Sequence, residues 1–304
     1  MNRMNRQRAW QWGTAELQQA QVADARWQAE LLLRSALRET RARFLAALSQ
    51  EIDDKSWQHF VRWIDARSQG TPLQYLIGSQ EFMGLEIAVT PAVLIPRPDT
   101  EVLVEQAIRL LECHPAPRVA DLATGSGAIA LALAHHLPRA QVIATDISQE
   151  ALQVAQANAA RLGLTERIQW HLGSWAEPLI GGPPLQAIVS NPPYLPSAAI
   201  ATLSADVRRE PRLALDGGSD GLDCYRALIP QAKTLLDPDG HLLLEVGAGQ
   251  ASDVCQLLRR AGFRRLHTVP DLAGIQRVVI SSPERYTGTR TAYPSVVENT
   301  ALTH

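Results

Sequence analysis

The stretch Ile188-Val189-Ser190-Asn191-Pro192-Pro193-Tyr194 closes an apolar run with two consecutive prolines. Proline has no N–H, fixes its own φ and pushes the residue before it into an extended conformation. Asn191 therefore ends a strand and cannot enter a helix, and the double proline stiffens the turn. A carboxamide, a backbone carbonyl and an aromatic ring are held together there. That set suits a planar, hydrogen-bond-rich group such as an amide or the edge of a base. Taken alone, the tetrapeptide also fits a proline-rich turn that buries a tyrosine, so its neighbours decide its meaning.

Around it, strands alternate with helices from Arg118 onward. Apolar runs predict strands near 118–122, 141–145, 167–171, 186–190, 240–246, 262–268 and 275–281, and helices near 127–137, 148–162, 222–236 and 250–261. Such alternation implies an α/β fold with a mostly parallel sheet covered on both faces. Residues 14–69 instead show helical spacing throughout, with Trp27, Trp57 and Trp63 as expected core anchors and Asp53 or Asp54 as a cap. Residues 1–12 are polar and are expected to fray. Ser79 to Thr90 predicts a hairpin about Met83-Gly84, and Asp99 or Thr100 should cap a helix running to about Cys113. Arg97, between Pro96 and Pro98, is rigidly presented, either at a helix start or in a loop lining the cleft. The expected division is a helical domain at 1–75, a hairpin linker at 76–92, an α/β domain at 93–283 and a disordered tail at 284–304.

Ligands of open parallel sheets bind outside the carboxyl ends of the strands. After the first strand comes Asp121-Leu122-Ala123-Thr124-Gly125-Ser126-Gly127, a turn that lets a ligand approach backbone at a helix N-terminus. After the second comes Asp146, placed to accept from ribose hydroxyls or to cap the next helix, a task Ser148 can perform instead. Gly173-Ser174-Trp175 follows the third strand and can stack a base. Asn191 to Tyr194 follows the fourth. Four successive strands thus end in residues suited to one nucleoside-bearing cofactor and one planar polar substrate. The third glycine of a dinucleotide fingerprint is missing, since position 130 is Ala, which disfavours an NAD oxidoreductase. An acid opening the loop would repel pyrophosphate but accept from an ammonium group, which favours S-adenosylmethionine. The Asn191 side-chain oxygen and the Pro192 carbonyl can both accept from an N–H₂ group, and Tyr194 can pack on its plane.

The bulk properties narrow the field. The 304 residues are 46% hydrophobic and 20% charged, with net charge −2, so no global field draws the chain to nucleic acid or anionic lipid. Residues 1–50 carry eight Arg against four acids, a bias that surface solvation explains. Cys113, Cys224 and Cys255 form no C-x-x-C pair, and the His spacing suggests no metal, which suits a reducing cytoplasm. No stretch approaches eighteen apolar residues, so no membrane span is expected.

Across roughly residues 20–281 the sequence resembles the protein-(glutamine-N5) methyltransferase family, specifically the peptide chain release factor glutamine methyltransferases. The resemblance rests on Thr71 to Leu76 with Gly78, Glu81-Phe82 with Gly84, Leu94 to Glu101, Asp121 to Ala130, Asp146, Ser190 to Leu195, Glu210-Pro211 with Ala214-Leu215, and Gly217 with Asp220 to Asp223 and Tyr225-Arg226. Asn-Pro-Pro-Tyr alone would also suit adenine methyltransferases. The resemblance implies a seven-stranded Rossmann-like S-adenosylmethionine-dependent methyltransferase domain, joined by a β-hairpin to a small N-terminal helical bundle. It further implies methylation of the glutamine in the Gly-Gly-Gln motif of class I release factors, with S-adenosylhomocysteine as product. Donor contacts carry over to Ala123, Thr124, Gly125, Ser126, Gly127, Asp146, Trp175 and Asn191, beside Asp121. Substrate contacts carry over to Asn191, Pro192, Pro193 and Tyr194, with Arg97 close by. A cytoplasmic monomer without stable nucleic-acid binding is expected. Methylation of a ribosomal-protein glutamine, or of adenine N6 with the base flipped out, is the alternative. Ala123 departs from the glycine common at that position, and the expectation is that it keeps an ordinary φ.

Overall fold

A computed structural model describes residues 4–282; the tail expected at 284–304 lies outside them. The N-terminal part holds helices α1 (Arg6–Gln19), α2 (Ala25–Ala36), α3 (Arg41–Ala46), α4 (Asp54–Ser68) and α5 (Leu73–Ile77). Their shared core includes Leu17, Leu32, Leu33, Phe44, Phe60 and Ile64. Asp53 caps α4, its side chain accepting from Ser56 N at 2.9 Å.

Two expectations fail here. Residues 6–12 do not fray: Asn5 caps α1 through Arg8 N, and the Trp12 ring meets Trp57 edge-on at 5.0 Å. The buried face is Ala9, Gly13 and Leu17, and a Cβ at Gly13 would stand 2.5 Å from Phe60 Cζ. Gly13 is there so that α4 can approach. Trp27 is no core anchor either, since it is 52% exposed.

Strands β1 (Ser79–Phe82) and β2 (Leu85–Ala88) form the hairpin, and both Met83 and Gly84 adopt positive φ, the backbone of a two-residue primed turn. Helix α6 (Pro98–Leu111) then starts earlier than expected. Pro98 takes its first position, Arg97 precedes it, and neither Asp99 nor Thr100 is the cap.

The α/β part follows as β3 (Arg118–Leu122), α7 (Ala128–His136), β4 (Gln141–Asp146), α8 (Gln149–Arg161), β5 (Ile168–Leu172), β6 (Leu185–Ser190), α9 (Asp223–Leu235), β7 (Leu236–Glu245), α10 (Ala251–Arg260), β8 (Arg265–Pro270) and β9 (Gln276–Ser282). The sheet runs β5-β4-β3-β6-β7-β9-β8. Strands β3 to β7 are parallel, and β9 lies antiparallel between β7 and β8. One face packs on α6, α7 and α8, the other on α9 and α10. The sheet grows outward in both directions from the β3–β6 pair, so the carboxyl ends of β3 and β6 form the topological switch point, where open α/β sheets bind ligands. The loops after Leu122 and Ser190, which are register partners, both open there.

Side chains join these parts. Arg67, buried on α4, donates to Gln28 Oε1 at 2.7 Å, Thr71 O at 3.1 Å and Asp206 Oδ2 at 3.3 Å. The Tyr75 hydroxyl donates to Val93 O at 2.6 Å. Asn158, fully buried on α8, exchanges two hydrogen bonds with the Ala88 backbone and donates a third to Ser126 O at 3.0 Å. The hairpin is thereby tied to the loop after β3. Among the described residues no helix is long and apolar enough to cross a membrane.

Candidate active site

A cavity of about 420 Å³ opens at the switch point, within the size range of small-molecule sites. Six of the expected donor and substrate contacts line it: Ala123, Gly125, Asp146, Trp175, Asn191 and Pro193. They come from the ends of β3, β4, β5 and β6, so the common edge read from the sequence is a physical one. The floor between Ala123 and Asn191 belongs to the adjacent central strands, and Asp146 and Trp175 come from the flank.

The loop after β3 is held by its acids. Asp121 is fully buried, and its Oδ2 accepts from the Thr124 hydroxyl at 2.5 Å and from Ala130 N at 3.1 Å. Burial pushes its carboxyl up to about 7 against those two hydrogen bonds. Its Oδ1 is buried without a partner, and Asp121 does not line the cavity. Asp146 Oδ2 accepts from Gly125 N at 2.8 Å and its Oδ1 from Ser148 N at 2.9 Å. Ser148, not Asp146, caps α8. Gly125 has φ +57, and a Cβ there would meet only open space, so bare backbone faces the cavity. Thr124, Ser126 and Gly127 are buried behind it and do not line the cavity.

Ala123 does not keep an ordinary φ. It sits at φ +59, and the turn that lets Thr124 N reach Thr145 O at 3.0 Å imposes this. An L-residue in the left-handed region costs roughly 1–2 kcal/mol. Trp175, on the opposite wall, has φ +50 and is fixed by the Thr145 hydroxyl, which donates to its carbonyl at 2.6 Å. Strain of this kind gathers where the chain must present a group to a ligand. Ala123→Gly is expected to stabilise the fold by about 0.5–1 kcal/mol, because relief of the left-handed strain exceeds the added chain entropy. Chemical denaturation checks it; a less stable variant would show that the Ala123 methyl packs usefully.

Beyond β6 the Asn-Pro-Pro-Tyr turn is clamped from outside. Leu195 N donates to Leu215 O at 3.0 Å and Gly217 N to Leu195 O at 2.8 Å. A Cβ at Gly221 would stand 2.3 Å from Tyr194 O, so the glycine-rich stretch at 216–223 is built for close approach to the turn. Asn191 Nδ2 donates to Thr100 Oγ1 at 3.2 Å, leaving Oδ1 as the acceptor. Pro192 is buried, and Tyr194 packs against the core beneath β7, where burial pushes its hydroxyl up to about 12. Neither residue lines the cavity wall. Nor does Arg97, which pairs with buried Glu210 instead. Glu210 also accepts from Ile95 N at 3.0 Å, so Arg97 fastens the loop before α6 to the segment after β6.

Sequence reasoning missed several lining residues. Ala92 and Val93 join Leu94 in one apolar wall, and Leu213 joins Ala214 in another; Leu94 and Ala214 entered above through the family resemblance. Cys224 also faces the cavity, with its thiol pushed up to about 11 by burial. Most of these sit in irregular loops, where periodicity carries no signal. Among the described residues no cluster of His, Cys, Asp or Glu is placed to hold a metal ion.

The chain resembles known proteins over both parts. The family model described as "Methyltransferase small domain" matches residues 99–206, and the one described as "PrmC N-terminal domain" matches 8–78. A release factor glutamine methyltransferase of Moorella thermoacetica is 52% identical over 261 residues, 86% of this chain and 92% of that protein. A protein of the same name from Geobacter sulfurreducens is 44% identical over 269 residues, 88% of this chain and 93% of the relative. Among solved structures, the hMettl16 catalytic domain in complex with MAT2A 3'UTR hairpin 1 superposes with TM-score 0.57 at 13% identity, covering 82% of this chain and 87% of that one. The Thermus thermophilus 16S rRNA N2 G1207 methyltransferase in complex with AdoMet and guanosine does so with TM-score 0.50 at 21% identity, covering 67% and 49%. At these identities the two structures speak for the fold alone.

Proposed function

The chain belongs to the release factor glutamine methyltransferases, and on that premise we propose that it methylates the side-chain amide nitrogen of the glutamine in the Gly-Gly-Gln motif of class I release factors. The observation that carries this reading is the position of Asn191. It shares one cavity with Ala123, Gly125, Asp146 and Trp175, so an acceptor for amide N–H stands beside the site that fits S-adenosylmethionine.

The fit has several parts. The cavity walls are mainly apolar with a few placed polar groups, as small-molecule sites are. Trp175 would lie along an adenine, Asp146 at the ribose and the backbone at Ala123 and Gly125 under the methionine end, with the unpartnered Asp121 Oδ1 behind it. Bound there, S-adenosylmethionine supplies an electrophilic methyl group on a sulfonium. The chain's own residues do the rest. An amide nitrogen is a poor nucleophile because its lone pair is delocalised into the carbonyl. Asn191 Oδ1 would accept one N–H and the Pro192 backbone carbonyl, set back from the cavity wall, the other, turning the lone pair toward the methyl. Their fixed dipoles would offset the positive charge that develops on nitrogen. Holding the two reacting atoms roughly 3–3.5 Å apart in line supplies the remaining acceleration. Tyr194 would act from beneath by fixing the turn.

On the same reading the protein works as a cytoplasmic monomer without metal and without stable nucleic-acid binding. Residues 1–75 would be the docking domain and 76–92 the linker. The test is a methyl-transfer assay with labelled donor, offered a release factor, its Gln→Ala variant, ribosomal proteins and DNA. Label is expected in the intact release factor alone. Label in a ribosomal protein or in DNA would overturn the substrate assignment.

A further inference from the structure

Helix α10 opens on Gln250, outside the Ser, Thr, Asp and Asn preferred at a helix N-cap, and its side chain makes no capping hydrogen bond. The carboxamide is spent elsewhere. Its Oε1 accepts from Gly247 N at 3.0 Å, in the loop after β7. Its Nε2 donates to Tyr194 O at 2.9 Å, in the Asn-Pro-Pro-Tyr turn, and to Gly221 O at 3.4 Å, in the glycine-rich stretch before α9. The backbone is shaped around this group. A Cβ at Gly221 would stand 2.6 Å from Nε2, and one at Gly247 would stand 2.7 Å from Oε1 and 3.0 Å from Tyr194 Cδ2. Neither position can carry a side chain while the carboxamide lies where it does.

The direction of these hydrogen bonds is fixed. A backbone N–H only donates and a backbone carbonyl only accepts, so one orientation of the amide satisfies all three partners. The turn needs such a tie. Pro192 and Pro193 have no N–H, so neither can anchor the turn by donating. Their neighbours anchor it instead. Asn191 is tied through Thr100 at one end, and the Tyr194 carbonyl through Gln250 at the other. The second tie lies two residues beyond the Pro192 carbonyl and three beyond Asn191.

We infer that Gln250 is a positioning residue for methyl transfer, whose carboxamide fixes the far end of the Asn-Pro-Pro-Tyr turn and so the aim of the Asn191 and Pro192 acceptors. The inference rests on the functional reading above for its consequence in catalysis, but the tie itself is a property of the free protein. Gln250 does not line the cavity, so it acts on a substrate only through the turn. Misplacing a reacting group by about 1 Å can cost about 10²-fold in rate. The residues proposed to hold the donor come from the ends of β3, β4 and β5, whereas Gln250 makes its hydrogen bonds to the turn and to the loops beside α9 and α10. Its loss should therefore fall on the acceptor side of the reaction and spare the donor.

The deciding experiment compares two substitutions in the full chain. Gln250→Met keeps the length and bulk but no hydrogen bond, and should lower kcat about 10- to 100-fold with the donor dissociation constant nearly unchanged. Gln250→Glu is closer in shape but should be no faster, because its carboxylate sets an acceptor against two carbonyls. Both losses should shrink in an Asn191→Ala background, where the turn has lost the group it positions. Hydrogen exchange reads the tie without any substrate. The Leu195 and Gly217 amides, which bond to Leu215 O and Leu195 O beside Tyr194, should exchange faster in both variants. A Gln250→Glu enzyme as fast as wild type, donor affinity falling in step with kcat, an equal loss in the Asn191→Ala background, or unchanged exchange at both amides would overturn the inference. A wild type that labels no release factor would overturn the functional reading instead, and the exchange rates would still decide whether Gln250 holds the turn.

Discussion

Asn191→Ala is expected to lower the methyl-transfer rate roughly 10²- to 10³-fold, the usual loss when one preorganised dipole at a reacting centre is removed. The donor dissociation constant should change little. The asymmetry follows from the geometry. Asn191 touches the cavity at its β6 side, whereas the residues proposed to hold the donor, Ala123, Gly125, Asp146 and Trp175, come from three other strands. Stability should fall only modestly, because Asn191 is half-buried and its one side-chain hydrogen bond, to the buried Thr100 hydroxyl, joins two neutral groups and is worth about 0.5–1.5 kcal/mol. Single-turnover transfer and calorimetric titration of the donor separate the two effects. Turnover within a few-fold of wild type would mean that backbone carbonyls alone position the amide, and the assignment of Asn191 would fall.

The sheet was legible in the sequence almost strand by strand, and the reason is local. The central strands β3, β4 and β6 are short apolar runs, and β7 carries one at Leu242–Leu244, although it starts earlier than expected, at Leu236. Where legibility failed, a tertiary contact had overridden a local cue. Residues 1–12 read as a polar, fraying end, yet α1 is held against α4, with Gly13 as the contact point for Phe60. Trp27 reads as core because it is large and aromatic, yet it faces solvent. Thr100 reads as a cap, but Pro98 starts the helix one turn earlier and leaves the Thr100 hydroxyl for Asn191. Ala123 reads as a residue that should avoid positive φ, yet the loop imposes φ +59 and the chain accepts the strain. The site was legible for a different reason. Carboxyl ends of parallel strands converge whatever the helices do, so residues ending successive strands could be grouped before any contact was known. That rule does not reveal loops that fold over the edge, and Leu94, Arg97, Glu210 and Leu213 belong to such loops.

Asp146→Ala carries the other large expected effect, on donor binding and not on chemistry. Its carboxylate joins two segments of the cavity rim, with one oxygen on Gly125 N and the other on Ser148 N. Its own carbonyl accepts from Gly173 N at 2.9 Å, so the backbone of the rim survives the substitution while the carboxylate is lost. Two consequences add. The donor loses a charged acceptor at the rim, and Gly125, already at φ +57, is free to relax. Leaving matched polar groups without partners costs about 1–3 kcal/mol, so the donor dissociation constant should rise by roughly tenfold to a hundredfold. Asp146→Asn keeps an oxygen for one of the two N–H groups and should fall between wild type and Ala. Burial raises the Asp146 carboxyl above its ordinary value, with the Ser148, Gly125 and Ile147 amides opposing. Donor affinity should therefore weaken as pH falls through that raised value, where the acceptor becomes protonated, and this acid limb should be missing in Asp146→Ala. Ser148 already caps α8, so the helix should hold and circular dichroism should be unchanged. An unaltered donor affinity in Asp146→Ala would mean that the carboxylate only braces the loop, and the donor's ribose would then need another acceptor in the cavity.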